Sequence, residues 1–336
     1  MKKFINVILA LIIFALPLSA CNSTKSNLTT VRVNEVTHSI FYAPFYVAIE
    51  NGYFEEENIQ IELTNGGGAD KSMTALLSNS ADVGLMGPEA AMYVYLNGRE
   101  NYPQIFGQLT KRDGSFLISR NKEENFDYSN LVGKEIIAGR KGGVPAMTLE
   151  YMLKQKGLID GQNITLNYDI QFNLTAAAFE GGTGDYCTLF EPTASEFEKA
   201  QKGYVVASIG KDSGEIPYTA FMATKEYILN NEKTIKAFLR AVYKGINFVN
   251  EASEEELANA LKGQFPSTSD ESIVLSVRRY IECDAWKKNM TMLEEDYNLL
   301  QTVIESAGEL ETRVPFEHLV INTYANEIYL KMLGNN

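Results

Sequence analysis

Short apolar stretches alternate with amphipathic stretches along most of this chain. Residues 31–36 alternate between apolar and polar side chains, which predicts a β-strand. Residues 41–52 carry apolar side chains at helical spacing and end in a glycine, which predicts a helix. A second strand is predicted at residues 59–63. This order of strand, helix and strand is typical of a β-α-β unit with parallel strands.

A glycine-rich stretch at residues 65–91 follows this unit and contains two predicted helix starts. After three consecutive glycines, a helix is predicted to begin at Ala69 or Asp70. An apolar strand is predicted at 82–86, and a second helix follows it with Pro88 at its first position. Small molecules bind to open α/β sheets in the crevice beyond the carboxyl ends of the strands, which is where these helices begin. The glycines alternatively form a flexible turn, but a phosphate-binding P-loop is excluded because Asp70 stands where that motif requires glycine.

The same order of elements recurs in the middle of the chain. A strand is predicted at 135–138, a second glycine-rich loop at 139–145 and a helix at 146–157. Arg140 and Lys141 in this loop either hold an anion or form an exposed surface pair. Further strands are predicted at 104–110, 115–120, 164–170, 185–190 and 204–209, and helices at 174–179, 193–201, 225–229 and over most of 232–336. A chain of 336 residues with two such units predicts an α/β protein with two lobes.

The start of the chain has the layout of an export signal. Two lysines precede an apolar run at residues 4–16, and we therefore expect a signal peptide over residues 1–20. Small residues precede Cys21, as in the lipobox of bacterial lipoproteins, although an ordinary signal peptide with a chance cysteine is the alternative. We expect a lipid on Cys21, a polar tether over residues 21–30, and a protein held by its lipid on the extracytoplasmic face of the cell membrane.

Composition narrows the classes of function. The formal net charge of −13 argues against nucleic acid as a partner. Cys187 and Cys283 have no metal-ligand spacing, so we expect no metal site and treat both as small buried apolar residues, with their free or bonded state left open. The sequence lacks the motifs of hydrolases, zinc proteases and redox enzymes, so we predict neither an enzyme nor a cofactor.

Four segments in order resemble the first lobe of periplasmic-type solute-binding proteins. They are residues 42–48, 52–55, 66–68 and 81–84. Within that superfamily the chain is similar to the branch that handles thiamine pyrimidine precursors, aliphatic sulfonates, taurine and nitrate. The resemblance implies a monomeric α/β protein with the two-lobed type II periplasmic-binding-protein fold and two chain crossings. It also implies a first lobe of residues 31–112 plus 221–336, a second lobe of residues 113–220, and the permease subunits of an ABC importer as partners.

The resemblance further implies where a small-molecule ligand is bound. One or two of Phe41, Tyr42 and Tyr46 are expected to reach the cleft and stack on a ring, since tyrosine combines a flat apolar face with a hydroxyl. The other expected ligand contacts are Thr37, His38, Gly67, Gly68, Pro88, Glu89, Gln108, Gly142, Gly143 and Glu191. Glu191 follows a predicted strand, and the alternative is that it caps the helix predicted to begin at Thr193.

Two carboxylates in a cleft repel anions, and Glu89 and Glu191 therefore favour a ligand with N–H donors. A nitrogen-containing heteroaromatic such as a thiamine pyrimidine precursor fits this requirement. An aliphatic sulfonate, taurine or nitrate is the first alternative. The second alternative is a pyrimidine-synthesising enzyme that resembles this fold, although that enzyme uses a cysteine-rich motif and this chain has three cysteines in all.

Overall fold

The computed structural model describes residues 28–334, which form two five-stranded sheets and the helices around them. The predicted signal peptide, Cys21 and most of the expected tether lie outside these residues. Thr29 and Thr30, the last two residues of the segment expected to be the tether, belong to the first strand. Within the described residues, no helix combines the length and the apolar character needed to cross a membrane.

The elements alternate along the chain as the apolar pattern predicts. The strands are β1 (Thr29–Glu35), β2 (Ile59–Asn65), β3 (Val83–Met86), β4 (Pro103–Thr110), β5 (Ser115–Ser119), β6 (Glu135–Ile137), β7 (Thr165–Asn167), β8 (Tyr186–Phe190), β9 (Tyr204–Ser208) and β10 (Thr219–Thr224). The helices are α1 (Ala43–Glu50), α2 (Tyr53–Glu56), α3 (Ala69–Leu77), α4 (Glu89–Leu96), α5 (Val144–Gln155), α6 (Thr175–Glu180), α7 (Thr193–Lys199), α8 (Ile209–Ser213), α9 (Lys225–Asn230), α10 (Glu232–Glu251), α11 (Glu254–Leu261), α12 (Asp270–Cys283), α13 (Glu294–Ser306), α14 (Phe316–Leu319) and α15 (Thr323–Leu333). Short 3-10 turns lie at Ile40–Tyr42, Tyr128–Leu131 and Phe172–Leu174.

The first sheet has the strand order β2-β1-β3-β10-β4. β1 runs parallel to β2 and β3, with Val33 opposite both Leu63 and Val83, whereas β10 is antiparallel to β3 and β4. All four residues of β3 are buried, as expected for a central strand of a sheet that helices cover on both faces. Because β1 and β3 are parallel, the loops that follow them lie at the same edge of the sheet.

The second sheet has the strand order β7-β6-β8-β5-β9. The chain enters it between Thr110 and Ser115 and returns to the first sheet before Thr219. The two crossing segments are bonded to each other, since the Ile216 amide donates to the Lys111 carbonyl at 2.9 Å. The two-lobed α/β fold with two chain crossings is therefore confirmed. β10 begins two residues before the return boundary expected at 221, because Thr219 and Ala220 already pair with β4.

Helices from the C-terminal third complete the first lobe and contact the second. Helix α10 packs closely on α1, where a Cβ atom at Gly245 would lie 2.0 Å from the Pro44 carbonyl oxygen. Only glycine permits that approach. Helix α12 contacts α7 of the second lobe and also the turn at Ile40–Tyr42 of the first. This helix therefore joins both lobes beside the crossing segments.

Candidate ligand-binding cleft

Three helices begin at the facing edges of the two sheets. Helices α3 and α4 begin beside the first sheet and α5 begins beside the second, and none of the three has a side-chain cap at Gly68, Pro88 or Gly143. The loop before α3 is held in place, because the amides of Gly66 and Gly68 donate to the carbonyls of Glu35 and Val36 at 2.8 and 3.0 Å. The three glycines are thus a bonded loop rather than a flexible turn.

A cavity of about 50 Å³, here called the inner cavity, lies between these helix starts. Both lobes line it. Its side chains come mainly from Val36, Thr37, Tyr42, Glu89, Arg140, Val144, Pro145, Phe172, Phe190, Tyr218 and Thr219, with backbone from Gly68, Gly87, Gly139 and Gly143. The cavity is bounded by both lobes, but its volume is well below the ~300 Å³ or more that is typical of ligand pockets. A ring-sized ligand therefore requires the lobes to move apart and close again around it.

Glu89 is the buried acid of the inner cavity. One carboxylate oxygen, Oε1, accepts a hydrogen bond from the Val144 amide at 3.3 Å, whereas Oε2 has no partner among residues 28–334. Burial raises the pKa of this carboxyl to about 7, although the Val144 amide and the Arg140 guanidinium partly oppose the shift. A Cβ at Gly87 would lie 2.0 Å from Oε2, so glycine at this position leaves room for the carboxylate. The cavity therefore offers one unused acceptor.

Aromatic rings form one wall of the inner cavity. Phe41 lies at the centre of this group, with its ring centroid 5.6 Å from Tyr42 and 5.7 Å from both Tyr218 and Phe190. Phe172 continues the wall at 5.7 Å from Phe190. Phe41 is fully buried behind the other rings and does not line the cavity. The wall gives the inner cavity an apolar aromatic lining.

Polar contacts join the two lobes around the inner cavity. The Tyr93 hydroxyl on α4 donates to the Gly142 carbonyl at 3.0 Å. Asp70 on α3 lies 3.8 Å from the Arg140 guanidinium, and Glu89 reaches the first amide of α5. The two lobes are therefore in contact across the cleft.

The structure brings some of the expected site residues together and leaves others apart. Thr37, Tyr42, Gly68, Glu89 and Gly143 line the inner cavity. Gly67 lines an adjoining cavity, and Gly142 lines a more open one beside Glu309. His38, Phe41, Pro88, Gln108 and Glu191 line none of these three cavities.

Glu191 is an expected ligand contact, but in the structure its carboxylate is bonded to protein groups. Its carboxylate is fully buried, accepts from the Ser195 amide at 2.9 Å and lies 2.6 Å from the Arg279 guanidinium. The Ser276 hydroxyl lies 3.2 Å from the same carboxylate, although its shorter hydrogen bond, at 2.6 Å, is to the Ser272 carbonyl. Both oxygens therefore have protein partners, and Glu191 caps α7, which is the alternative that its position before Thr193 allowed.

His38 is likewise directed away from the cleft. One ring nitrogen, Nδ1, lies 2.7 Å from the buried Glu35 carboxylate, and the other, Nε2, lies 2.9 Å from the Gln264 carbonyl. Burial opposes the charge of the imidazole, but these two acceptors raise the pKa of His38. His38 thus serves as the partner of Glu35 and links β1 to the C-terminal helices.

Gln108 and Pro88 lie beside the cleft without reaching it. Gln108 is buried in β4, where its amide nitrogen donates to the Thr110 carbonyl at 3.0 Å. Pro88 is the N-cap of α4, whereas the next residue, Glu89, lines the cavity.

Cys187 and Cys283 are buried and their thiols are free, as expected for small apolar residues. No cluster of metal-binding side chains occurs within residues 28–334.

Sequence reasoning missed three aromatic residues of the cavity wall. Phe190 is the last residue of β8, and Tyr218 directly precedes β10 at the return crossing. Phe172 lies in a 3-10 turn with no periodic pattern around it. The position at a strand end was a usable signal for the first two, whereas nothing in the sequence distinguishes Phe172.

The fold, the cavity between two lobes and the paired crossings define a protein of the periplasmic-binding-protein fold. The alkanesulfonate-binding protein SsuA of Xanthomonas axonopodis pv. citri, solved bound to MOPS, superposes with a TM-score of 0.71 at 15% identity, covering 88% of this chain and 99% of that one. The periplasmic nitrate-binding protein NrtA of Synechocystis PCC 6803 superposes with a TM-score of 0.73 at 16% identity, covering 91% and 89%. At these identities the likeness shows the fold alone.

Sequence comparison shows the family. Residues 40–256 match the family described as "NMT1/THI5 like". The chain is also 41% identical over 311 residues to the "Putative binding protein YtlA" of Bacillus subtilis (strain 168), covering 93% of each protein. The chain belongs to the NMT1/THI5-like family.

Proposed function

We propose that this chain is the extracytoplasmic solute-binding component of an ABC importer, and that it captures a small nitrogen-containing heteroaromatic such as a thiamine pyrimidine precursor. The name of the Bacillus relative, the family and the structural neighbours support the binding role. Such a protein has a small-molecule ligand and permease subunits as its partners. The ligand class rests on the inner cavity.

The unpaired Oε2 atom of Glu89 is the observation that carries this ligand class. A buried acceptor without a partner lowers stability until a donor fills it, and a ring amino group or ring N–H is such a donor. The aromatic wall supplies faces on which a flat ring stacks. A charge-assisted bond to this carboxylate contributes about 1.5–3 kcal/mol.

An aliphatic sulfonate, taurine or nitrate is the second candidate. Arg140 lines the same cavity as Glu89, and the helices α3 and α5 begin there without side-chain caps. A guanidinium and free helix starts are the groups that hold an anion. The proteins named for sulfonate and nitrate share this fold at low identity. Against this candidate, an anion has to lie beside the Glu89 carboxyl.

Calorimetry on the Glu89→Gln variant tests the ligand class. We expect 4-amino-5-(hydroxymethyl)-2-methylpyrimidine to bind the unaltered protein, and we expect the variant to bind it about ten- to a hundredfold more weakly. The exposed Glu62→Gln change on β2 is the matched control and should leave the affinity unchanged. Binding of methanesulfonate or nitrate in place of the pyrimidine, strengthened in the Glu89→Gln variant, would contradict the proposal and favour the anion.

The pH dependence of affinity separates the two candidates further. An N–H donor prefers the ionised Glu89, so its binding releases a proton and its affinity should rise from pH 6 to pH 8. An anion prefers the protonated form, so its affinity should fall over the same range. Because the pyrimidine also titrates, the relevant quantity is the difference between the pH profiles of the unaltered protein and the Glu89→Gln variant.

A pyrimidine-synthesising enzyme of the same fold is disfavoured. That enzyme resembles this fold but uses a cysteine-rich motif, and this chain has three cysteines in all. The named relatives and neighbours reported above are binding proteins. Incubation with pyridoxal phosphate and histidine should therefore yield no pyrimidine product by mass spectrometry.

A further inference from the structure

His38 lies just after β1, and both of its ring nitrogens face groups that accept hydrogen bonds. Nδ1 lies 2.7 Å from the Glu35 carboxylate, and Nε2 lies 2.9 Å from the Gln264 carbonyl oxygen. A backbone carbonyl only accepts, so Nε2 carries a proton. A second proton lies between Nδ1 and the carboxylate, because two acceptors do not approach so closely without one. Imidazole is the stronger base by about two pKa units, so this proton resides on the ring.

The Tyr46 hydroxyl does not replace the second proton. It donates to the other Glu35 oxygen at 2.5 Å and lies 3.1 Å from Nδ1 of the histidine. It also accepts from the Ser39 amide at 3.2 Å. A hydroxyl has one proton, which the carboxylate already receives. A singly protonated ring therefore keeps only one of its two hydrogen bonds, either to Glu35 or to Gln264.

The titratable groups around the ring come from three parts of the fold. Among residues 28–334, Glu35 on β1 is the carboxylate in contact with the ring. On α1, beyond Tyr46, the Glu50 carboxylate accepts from the Gln264 side chain at 2.5 Å. In the segment after α11, Lys262 pairs with an aspartate of α12 at 2.6 Å. Burial lowers the pKa of the imidazole, but the carboxylate on β1 and the carbonyl of residue 264 raise it, and the net shift is upward.

The segment that contains this histidine, residues 35–39, also holds the glycine loop of the cleft. The carbonyls of Glu35 and Val36 accept from the amides of Gly66 and Gly68 at 2.8 and 3.0 Å. The loop before α3 is therefore positioned by the segment to which the imidazole belongs.

The same segment reaches the inner cavity and the second lobe. Thr37 lines the cavity, and the Ser39 hydroxyl donates to the Glu191 carbonyl of the second lobe at 2.5 Å. His38 lies between these two residues and is tied to Gln264, which belongs to the C-terminal part of the chain. The ring therefore restrains the middle of a segment whose ends contact the loop, the cavity and the opposite lobe.

We propose that His38 is a positioning residue of the cleft, and that it clamps residues 35–39 in place only while its ring carries both protons. When the second proton leaves at higher pH, one of the two hydrogen bonds of the ring is lost and the segment becomes less ordered. The glycine loop that it holds then loosens as well. The ring touches no ligand in this assignment, so the clamp does not depend on which ligand the protein takes. Its effect on affinity rests on the proposed function.

Nuclear magnetic resonance of the ligand-free protein tests the proton count. The chain has two histidines, so nitrogen-15 labelling of the imidazoles gives two sets of ring signals, which the His318→Gln variant assigns. We expect both ring nitrogens of His38 to be protonated at about pH 6, and its pKa to exceed the ordinary value of about 6.5. The Glu35→Gln variant should lower that pKa, because it removes the charge that favours the imidazolium.

Hydrogen exchange of the ligand-free protein tests the positioning role. The amides of Gly66 and Gly68 are the reporters, because they donate to the clamped segment. The His38→Gln variant has a side chain that does not titrate. The protection of these amides in the unaltered protein, divided by that in the variant, should fall about three- to tenfold from about pH 6 to about pH 9. This ratio removes the effect of groups that titrate in both proteins, such as Glu89.

Calorimetry over the same pH range connects the clamp to the ligand. The affinity for 4-amino-5-(hydroxymethyl)-2-methylpyrimidine in the unaltered protein, divided by that in the His38→Gln variant, should fall about three- to tenfold. His318→Gln is the matched control, because it removes the other histidine, whose ring contacts the Tyr95 hydroxyl outside the cleft. It should keep the pH profiles of the unaltered protein. Melting temperatures within a few degrees of the unaltered protein establish that each variant is folded.

The outcomes separate this inference from the proposed function. An unprotonated Nδ1 at about pH 6, or an exchange ratio that does not change with pH, overturns the clamp whatever ligand is bound. A constant affinity ratio in a protein that binds the pyrimidine overturns the positioning role of His38 while the proposed function stands. Absence of pyrimidine binding contradicts the proposed function, and the two ligand-free measurements then decide the clamp by themselves.

Discussion

Two buried carboxyl groups have raised pKa values. Glu89 has an unpaired Oε2 atom in the inner cavity, whereas Asp113 accepts from the amide and the hydroxyl of Ser115, and a hydrogen bond with the Tyr218 hydroxyl further favours its ionised form. Burial raises the pKa of Glu89 and of Asp113 to about 7 each. An unpaired buried acceptor lowers the stability of the ligand-free protein. A ligand whose donor pairs with it removes that cost, and this contributes to the binding free energy.

These raised pKa values predict how stability depends on pH. Between about pH 5 and pH 7 the folded protein retains protons that the unfolded chain has lost, so the free energy of unfolding should fall as pH rises. One pKa unit corresponds to about 1.4 kcal/mol, so the raised pKa of Glu89 allows the free energy of unfolding to fall by up to about 3 kcal/mol. Urea unfolding at several pH values should show this decline, and the Glu89→Gln variant should show a smaller one. Identical profiles for the two proteins would contradict the prediction.

At the scale of elements, helix α12 contacts both lobes and also the crossing segment at Gly114. Arg279 donates to Glu191 at 2.6 Å and also pairs with Glu198 on α7. The neighbouring Tyr280 hydroxyl donates to the Gly114 carbonyl at 2.9 Å and accepts from the Glu191 amide at 3.0 Å. One helix thus holds the start of α7 and the outgoing crossing together.

Removing one partner of this buried ion pair should destabilise the protein. We expect Arg279→Met to lower the free energy of unfolding by about 3 kcal/mol, because it leaves the fully buried Glu191 carboxylate without its cation. Ligand affinity of the folded protein should change less than threefold. Arg278→Met is the matched control, since its partner Glu254 is exposed enough that the pair contributes less than about 1 kcal/mol. A tenfold loss of affinity without loss of stability would return Glu191 to the ligand site.

At the scale of the whole molecule, the two lobes contact each other across the cleft and are joined by the crossing segments, which are the expected hinge. We propose that the two lobes move apart about the crossing segments when no ligand is bound, since hinges absorb such motion at a few residues. The radius of gyration from small-angle scattering should decrease when ligand is added. An unchanged radius with a tightly bound ligand would count against closure.

The Tyr93→Phe change tests the contribution of one contact between the lobes. It removes the hydrogen bond to Gly142, so the closed state should be less populated and ligand affinity should fall about three- to tenfold. The stability of each lobe should be retained. Tyr95→Phe on the same helix is the control, because its hydroxyl contacts His318 outside the cleft and its loss should leave affinity unchanged.

Lipid anchoring through Cys21 remains a prediction about the part of the chain outside the described residues. Changing Cys21 to Ala should release the protein into the medium or leave its leader uncleaved, because the acyl chains would be its membrane attachment. Cell fractionation with mass spectrometry of the mature N-terminus measures both. A processed Cys21→Ala protein that is still retained on the membrane would exclude the lipid anchor.

The sequence determined the local elements and their order. Apolar periodicity placed most strands within a few residues, and the glycines before α3 and α5 marked the loops where the two lobes meet. These features are local, since periodicity and glycine conformations depend on neighbouring residues. The resemblance of four segments to a known family was sufficient to predict the two-lobed fold. Glu89, which lies at a predicted helix start, lines the cavity.

Only the tertiary structure decided which residues at the strand ends face the ligand. Glu89 and Glu191 occupy similar positions after strands, yet Glu191 meets Arg279, which lies 88 residues further along the chain. The His38 ring is hydrogen-bonded to the carbonyl of Gln264, which lies 226 residues further along the chain, and it therefore does not line the cleft. A buried charged group is directed toward whichever partner the fold brings to it, because an unpaired charge is costly to bury. That partner is a long-range contact, and no local pattern in the sequence records it.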